Sequence, residues 1–510
     1  MTTNLIPQPR SLVKRDGSVT WSSPVRIEIA PQWSAAVTTF AADLHLSLGW
    51  DVEIVAAGQK SDLRISPLAT IEPEGFSLSL GDVSTLRASD EAGVSYGLTA
   101  LRQLGPSSMW SRDGSSSTNE IEFPRVEIED YPTYSWRGVH LDVSRHFFDV
   151  QTVCRLIDQI AAHRLNHLHL HLNDDQGWRI EIPAWPRLTE IGSMRHSSPR
   201  GQEEDGLGDG TAHGGFFNAG DIEKIRSHAA TRFVRVVPEI DLPGHAQAAI
   251  AAYPEFGNGA EPCEVWTRWG ISEHVLNVNE ATFAFAEDVV GYVASLFPTS
   301  PVHIGGDECP TVEWESSPQA LSVMAAHGFS DVRQLQGLYT KRLAAQLRAD
   351  GHEVIAWDEV LDAEVPEGTT IAAWRDVSKG TEAAKRGLDV IMAPNEFTYF
   401  DWANSDDPGE PVAPPGHPST RWEKVYSFPV VPPDLAPDLH HLIKGTQAQL
   451  WTEYIPTVEH LDYQAFPRMA AFSEVAWGTS GGLENFRSRL SHHVDRLRAM
   501  GIHFRPLKKE

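Results

Sequence analysis

The sequence predicts an α/β chain: a (β/α)8 TIM barrel serving as a catalytic domain, preceded by a smaller α+β N-terminal domain. Three observations lead there. The chain has 510 residues, 41% hydrophobic and 22% charged, which is apolar material for a large core and more length than one small module needs. From Trp136 onward, eight short apolar runs end mostly in charged or aromatic groups and are separated by helix-like stretches. Before Trp136 the runs alternate more strictly and enclose only two helical segments.

The first domain is expected over residues 1–130. Its strand candidates are RIEIA from Arg26, VEIVAA from Val52, LRIS from Leu63, FSLSL from Phe76 and TLRAS from Thr85. Helical spacing runs over Ser34–Leu48 and Glu91–Leu104, and in the latter Val94, Leu98, Leu101 and Leu104 share one stripe. Residues 105–120 are rich in Ser and Gly without an apolar period, so an exposed loop is expected before a return strand, IEFPRVEIED from Ile121.

The second domain, 131–510, carries the eight barrel strands. They are WRGVHLDVSR from Trp136, HLHLHLNDD from His167, VRVVPEIDLPGH from Val234, VHIGGDE from Val302, HEVIAWDE from His352, TIAAWRD from Thr370, DVIMAP from Asp389 and GTQAQLWTE from Gly445. A barrel gathers functional groups at the C-terminal ends of its strands, and every run except the seventh ends in such groups. Between Asp358 and Thr370 there is hardly room for a crossover helix, so the fifth helix is expected to be short or missing. Two Gly- and Pro-rich insertions, 193–218 and 396–437, are expected on the functional face.

Composition narrows the partners. With 69 Asp and Glu against 42 Lys and Arg, the formal charge of -27 repels phosphate backbones and anionic lipid, so neither nucleic acid nor membrane is expected. No run approaches 18 apolar residues, and Met1 to Arg10 lacks the pattern of a signal peptide. A cytoplasmic location is the expectation, with secretion after removal of a leader also compatible. Cys154, Cys263 and Cys309 are too few and too scattered for a disulfide scaffold or a CxxC metal site. The 16 Trp lean towards sugars, whose C–H faces pack on flat rings.

The sharpest chemical signal is His303-Ile304-Gly305-Gly306-Asp307-Glu308. Paired glycines permit close approach, and two carboxylates follow that can divide acid and base work if one keeps its proton. Adjacent side chains on an extended segment diverge, so these two are not expected to flank one bond as nucleophile and acid. A two-carboxylate glycosidase needs a second carboxylate about 5 to 9 Å away; a substrate with its own nucleophile does not. Arg145, Asp174, Asp175, His245, Trp357, Trp374, Trp451 and Glu453 are the polar and aromatic strand ends expected to converge on Glu308. Arg145 suits forked hydrogen bonds to hydroxyls, and His245, near Asp241, suits tuning of the acid. Two other readings stay open. His167, His169 and His171 alternate on one strand face, the spacing of a metal-dependent hydrolase, and a catalytically silent carbohydrate-binding protein would keep the aromatic groups.

Several of these stretches together resemble glycoside hydrolase family 20, the β-N-acetylhexosaminidases. They are RGVHLDVSRHFF at Arg137, HLHLNDDQGWR at His169, PEIDLPGH at Pro238, HIGGDE, AWDE at Ala356 and QLWTE at Gln449. Leu5-Ile6-Pro7 and EAGVSYGLTALRQL at Glu91 resemble the family's first domain more loosely. The resemblance implies exo-acting, substrate-assisted retaining hydrolysis of terminal N-acetylglucosamine or N-acetylgalactosamine, without metal or organic cofactor. It implies that Glu308 is the acid and then the base, that Asp307 orients the 2-acetamido group, and that Asp174 and His245 form a relay towards Glu308. By the same resemblance, Arg145, Asp401 and Glu453 hold ring hydroxyls, Tyr399 donates to the acetamido oxygen, and Trp357, Trp374 and Trp451 wall the pocket. Which hexosamine is preferred, and whether chitin fragments, glycans or glycolipids carry it, stays open; so does oligomeric state, a homodimer lending a loop to the site being one possibility.

Overall fold

A computed structural model describes residues 3–112, 114, 118–201, 208–259 and 262–507. The first domain is a mixed seven-stranded sheet in the order β1-β7-β5-β6-β4-β2-β3. Its strands are β1 (Ser11–Ser22), β2 (Val25–Ile29), β3 (Val52–Val55), β4 (Leu63–Pro67), β5 (Phe76–Leu80), β6 (Thr85–Ala88) and β7 (Glu120–Asp130). Helices α1 (Ser34–Leu48) and α2 (Glu91–Leu104) follow the expected bounds, and Asp90 caps α2 by accepting from the Gly93 N–H. Strand β1 is not visible as a strand in the sequence. Most of its positions are exposed, and a register shift between Lys14 and Ser18 interrupts its pairing with β7, so no apolar alternation marks it.

Part of the expected 105–120 loop is core. A 3-10 turn, Ser107–Trp110, buries Met109 and Trp110, with the Arg102 guanidinium 4.1 Å from the Trp110 ring. Positions 113 and 115–117 lie outside the described residues.

The barrel closes with all eight strands parallel, each at a predicted run. In chain order they are β8 (Trp136–Asp142), β9 (His167–His171), β14 (Arg235–Glu239), β15 (Val302–His303), β16 (Val354–Trp357), β17 (Thr369–Ala373), β18 (Val390–Met392) and β19 (Ile443–Leu450). Two ribbons, β10 (Asn173–Asp174) with β11 (Gly177–Trp178) and β12 (Met194–Arg195) with β13 (His213–Gly214), sit in the loops between β9 and β14. The second lies in the expected insertion, of which 202–207 are outside the described residues. The fifth crossover is short as expected: a single 3-10 turn, Asp358–Asp362, joins β16 to β17.

The domains are pinned by buried charge. Arg137 on β8 meets Glu74 and the Tyr96 hydroxyl, and Arg164 lies 2.7 Å from Asp130, which also accepts from Trp477 Nε1 at 2.9 Å. The opening residues fasten to the far end of the chain. Arg489 donates to the Leu5 carbonyl at 2.8 Å, Gln8 N to Glu474 at 3.1 Å, and Thr479 Oγ1 to the Gln8 carbonyl at 2.7 Å.

Candidate active site

Strand β15 has two residues because Gly305 and Gly306 turn the chain at once, with φ of 63° and 97°. A Cβ on Gly305 would stand 1.8 Å from Asp241 Oδ1, so only glycine lets Asp241 approach and accept the Gly306 N–H at 2.8 Å. Glu308 follows at φ 45°, in the left-handed region. That conformation changes the expected geometry. The two acidic side chains do not diverge: Asp307 Oδ2 and Glu308 Oε2 both lie 3.7 Å from His245 Nε2. His245 itself has φ 48°, so two of the few non-glycine residues with positive φ face each other here, where strain is commonly kept for function. Asp307 is buried, whereas 37% of the Glu308 side chain reaches solvent, as a donor to a leaving group requires.

Behind His245 the contacts continue. Its Nδ1 lies 3.1 Å from Asp174 Oδ1 and 3.5 Å from Asp175. Asp175 accepts from the Gln247 and Ser272 backbone N–H groups, fixing the loop over the imidazole. Asp174 Oδ2 meets Arg145 at 2.8 Å and His171 Nε2 at 2.8 Å. Arg145 also meets Asp142 at 3.2 Å and Glu453 at 3.7 Å, and its Nε donates to Gln176 Oε1 at 2.8 Å. Its guanidinium lies 5.2 Å from the Trp451 ring.

These neighbours set the charges. Burial opposes ionisation of Asp174, but Arg145 and His245 hold its carboxyl well below the usual range. Burial opposes the charge on Arg145 and on His245 too, yet Asp174 keeps both protonated, with Glu453 helping for Arg145 and Asp307 for His245. Asp307 moves the other way: burial, then Asp241, push it well up, and Asp241 is itself raised to about 7, chiefly by burial. An oxygen of each of these two carboxyls lies within 4.8 Å of the other and of a His245 ring nitrogen, so the two titrate as a pair.

The aromatic wall forms beside Asp307. Trp374 and Tyr399 stack at 6.0 Å, Tyr399 lies 6.4 Å from Trp451, and Trp357 lies 6.1 Å from Trp451. Tyr399 and Asp401 come from the segment after β18, the strand whose own end carries no such groups, and Tyr399 is tied to β19 by a bridge to Gln449. Buried Asp307 Oδ1, Asp401 Oδ1, Glu453 Oε2 and His245 Nε2 have no hydrogen-bond partner among the described residues, so a ligand's polar groups can pair with them. The eleven residues given roles by the resemblance, and Asp175 with them, therefore gather at one mouth. Asp142, Gln176, Asp241, Glu239 and Glu359 join them. The sequence reading assigned Asp142, Gln176, Glu239 and Glu359 no role and named Asp241 only as a neighbour of His245, although all five sit inside the quoted stretches.

The three-histidine set does not converge. His167 stacks on Trp136 at 3.9 Å and bonds Asn166, while His169 and His171 turn towards Glu239. Among the described residues, His140/His171/Glu239 and His169/Glu239/His303 are close enough to share an ion, and His167 is in neither group.

The family described as "Glycosyl hydrolase family 20, catalytic domain" matches residues 134–480, and "Glycosyl hydrolase family 20, domain 2" matches 2–131. The chain belongs to glycoside hydrolase family 20. A β-hexosaminidase of Porphyromonas gingivalis is 34% identical over 98% of this family 20 chain, which spans 64% of that relative's length. The family 20 β-N-acetylhexosaminidase of Streptomyces coelicolor superposes with a TM-score of 0.86 at 29% identity, covering 99% of this chain and 98% of that one. The Vibrio harveyi family 20 exo-β-N-acetylglucosaminidase, solved in complex with N-acetylglucosamine, gives 0.87 at 27% identity over 99% and 78%.

Proposed function

We propose that the chain is an exo-acting β-N-acetylhexosaminidase, hydrolysing terminal non-reducing β-linked N-acetylglucosamine or N-acetylgalactosamine with the substrate's own acetamido group as nucleophile. The observation that carries it is the pairing of solvent-reaching Glu308 with buried Asp307 on one imidazole, beside an aromatic pocket. The sugar bound in the V. harveyi relative agrees with that pairing.

In this reading the acetamide lies among Trp357, Trp374 and Trp451, its N–H donating to Asp307 Oδ1 and its oxygen accepting from the Tyr399 hydroxyl. Glu308 gives its proton to the glycosidic oxygen while the acetamido oxygen attacks the anomeric carbon from the opposite face. An oxazolinium ring forms and the aglycone leaves as an alcohol. Glu308, now a carboxylate, takes a proton from water as it opens the ring, so the sugar keeps its β configuration and the acid is restored. An internal nucleophile held in place acts at an effective concentration of about 10⁵ to 10⁸ M, which explains why orientation is the protein's main task. Asp307 and Asp241 together supply negative charge beside the growing cation. Arg145, Asp401 and Glu453 take the ring hydroxyls at the other end.

The test compares nitrophenol release from the β-N-acetylglucosaminide and from the β-glucoside, with and without chelator. Turnover of the first alone, indifferent to chelation, is expected. Equal turnover of both would point to a protein nucleophile, and loss on chelation to a metal.

A further inference from the structure

We propose that His171 and Glu239 are positioning residues for this reaction: with Asp174 they form one hydrogen-bonded column that rises from the barrel interior to His245, the imidazole whose Nε2 faces Glu308 at 3.7 Å. The proposal rests on the reading of Glu308 as the acid. It reaches two residues deeper than the contact of Asp174 with His245.

The column is continuous. Glu239 Oε2 lies 2.6 Å from His171 Nδ1, His171 Nε2 lies 2.8 Å from Asp174 Oδ2, and Asp174 Oδ1 lies 3.1 Å from His245 Nδ1. His245 Nε2 then faces Glu308. An imidazole with a carboxylate oxygen at hydrogen-bond distance from each nitrogen can satisfy both only as a cation that donates twice. His171 is in that position, entirely buried, and its pKa is lifted to about 10 because Glu239 and Asp174 outweigh burial. Charge therefore alternates along the column: Glu239 negative, His171 positive, Asp174 negative, His245 positive.

Two further contacts give the column its direction. Arg145 and His171 both occupy Asp174 Oδ2, which leaves Oδ1 for His245 and the Asp175 N–H and fixes the tilt of the imidazole facing the acid. Glu239 also accepts from Trp357 Nε1 at 2.7 Å, so the same carboxylate anchors a wall of the acetamido pocket. One buried group thereby registers the acid against the internal nucleophile. The titratable groups facing the column are His140, Asp142 and Arg145 from β8 and the loop after it, His169 from β9, Asp175 after β10, Asp241 after β14, His303, Asp307, Glu308 and Cys309 at and after β15, and Glu453 after β19. Of these, His303 and His169 lie 3.0 and 3.2 Å from Glu239 and help keep it ionised.

The experiment has two arms. In the first, His171→Gln and Glu239→Gln are assayed on nitrophenyl β-N-acetylglucosaminide, beside His163→Gln as a control buried far from the mouth. Glutamine at 171 can donate to only one of its two carboxylates. A fall in kcat of about 10- to 100-fold is expected with KM within about threefold, together with a displaced limb in the pH profile of kcat/KM. Glu239→Asp is expected to recover part of the loss. His163→Gln is expected to lower Tm while leaving the profile in place. Wild-type kcat and pH profile in both column variants would overturn the proposal, whatever happens to Tm. The second arm needs neither variant nor turnover. Nitrogen NMR of the ¹⁵N-histidine-labelled wild-type protein at pH 8 is expected to show two imidazolium rings protonated on both nitrogens. Only neutral histidines at that pH would refute the column. A wild-type protein inactive on the glycoside would instead refute the reading of Glu308 and leave this arm decisive for the column.

Discussion

At Glu308 the left-handed backbone does what an extended strand end could not: it swings the carboxylate onto the imidazole that Asp307 already faces. The two acids nevertheless live in different surroundings, one reaching solvent and one buried against Asp241. Their replacements should therefore fail differently. Glu308→Gln is expected to lower kcat/KM on chitobiose, a poor leaving group, by about 10² to 10⁴, and much less on nitrophenyl substrates that leave without a proton. Asp307→Asn is expected to lower both by about 10² to 10³, since the acetamide is used in each. Equal small losses on both substrates would contradict the division of labour. The Asp-Glu pair was legible because glycines and acids stand together at a strand end. Asp241 was legible only as a neighbour of His245, since a carboxylate two residues before a cis proline carries no mark of the carboxyl it meets 66 residues on.

Among the elements, the short turn Asp358–Asp362 decides more than a helix would. Without a crossover helix it lies against the loop leaving β17, where Asp358 accepts the Trp374 and Arg375 N–H groups and Glu359 accepts Trp374 Nε1 at 3.0 Å. Burial, then Asp358 and Asp307, push Glu359 well up, so it holds the indole as a neutral acid. Glu359→Gln keeps the acceptor and is expected to stay within about threefold of wild-type kcat/KM. Glu359→Ala strands the indole N–H at about 1 to 3 kcal/mol and is expected to cost tenfold or more. Steady-state kinetics on the acetamido substrate separates the two. The cramped spacing before Thr370 made this turn legible as a missing helix, but its grip on Trp374 is a tertiary contact that no period reveals. Strand β1 was missed for the converse reason: an exposed edge strand with a bulge has no apolar face to betray it. Tyr399 and Asp401 were reached only through resemblance, because the irregular segment that carries them has no repeat to fix their register.

For the whole molecule, buried histidines set the response to acid. Burial lowers His163 and His169 to about 4 and His213 to about 3, while an unfolded histidine binds its proton near pH 6.5. Between those values unfolding takes up protons, so stability falls as pH drops from about 6.5 towards 4. His171, raised to about 10, acts oppositely: its contribution is complete below about 6.5 and fades as pH rises through 10. Tm is therefore expected to decline on both sides of neutrality. His163→Gln, which breaks the 2.9 Å contact with His493 between the barrel and the C-terminal helix, is expected to flatten the acid side by about one proton, near 1.4 kcal/mol per pH unit. An unchanged acid slope in calorimetry would remove His163 from that account. Domain order and barrel closure were readable from eight runs of the right spacing. The polar seam between the domains was not, since Arg137, Arg164 and Asp130 look like surface charges until folding buries them.

The clasp between Leu5, Gln8 and the segment from Glu474 to Arg489 carries a further consequence for synthesis on the ribosome. Leu5 and Gln8 are translated well before their hydrogen-bond partners, which lie 466 to 484 positions later. The sheet of the first domain can form early, but the strap of Leu5 and Gln8 must wait, unfastened, until the segment from Glu474 to Arg489 has emerged from the exit tunnel.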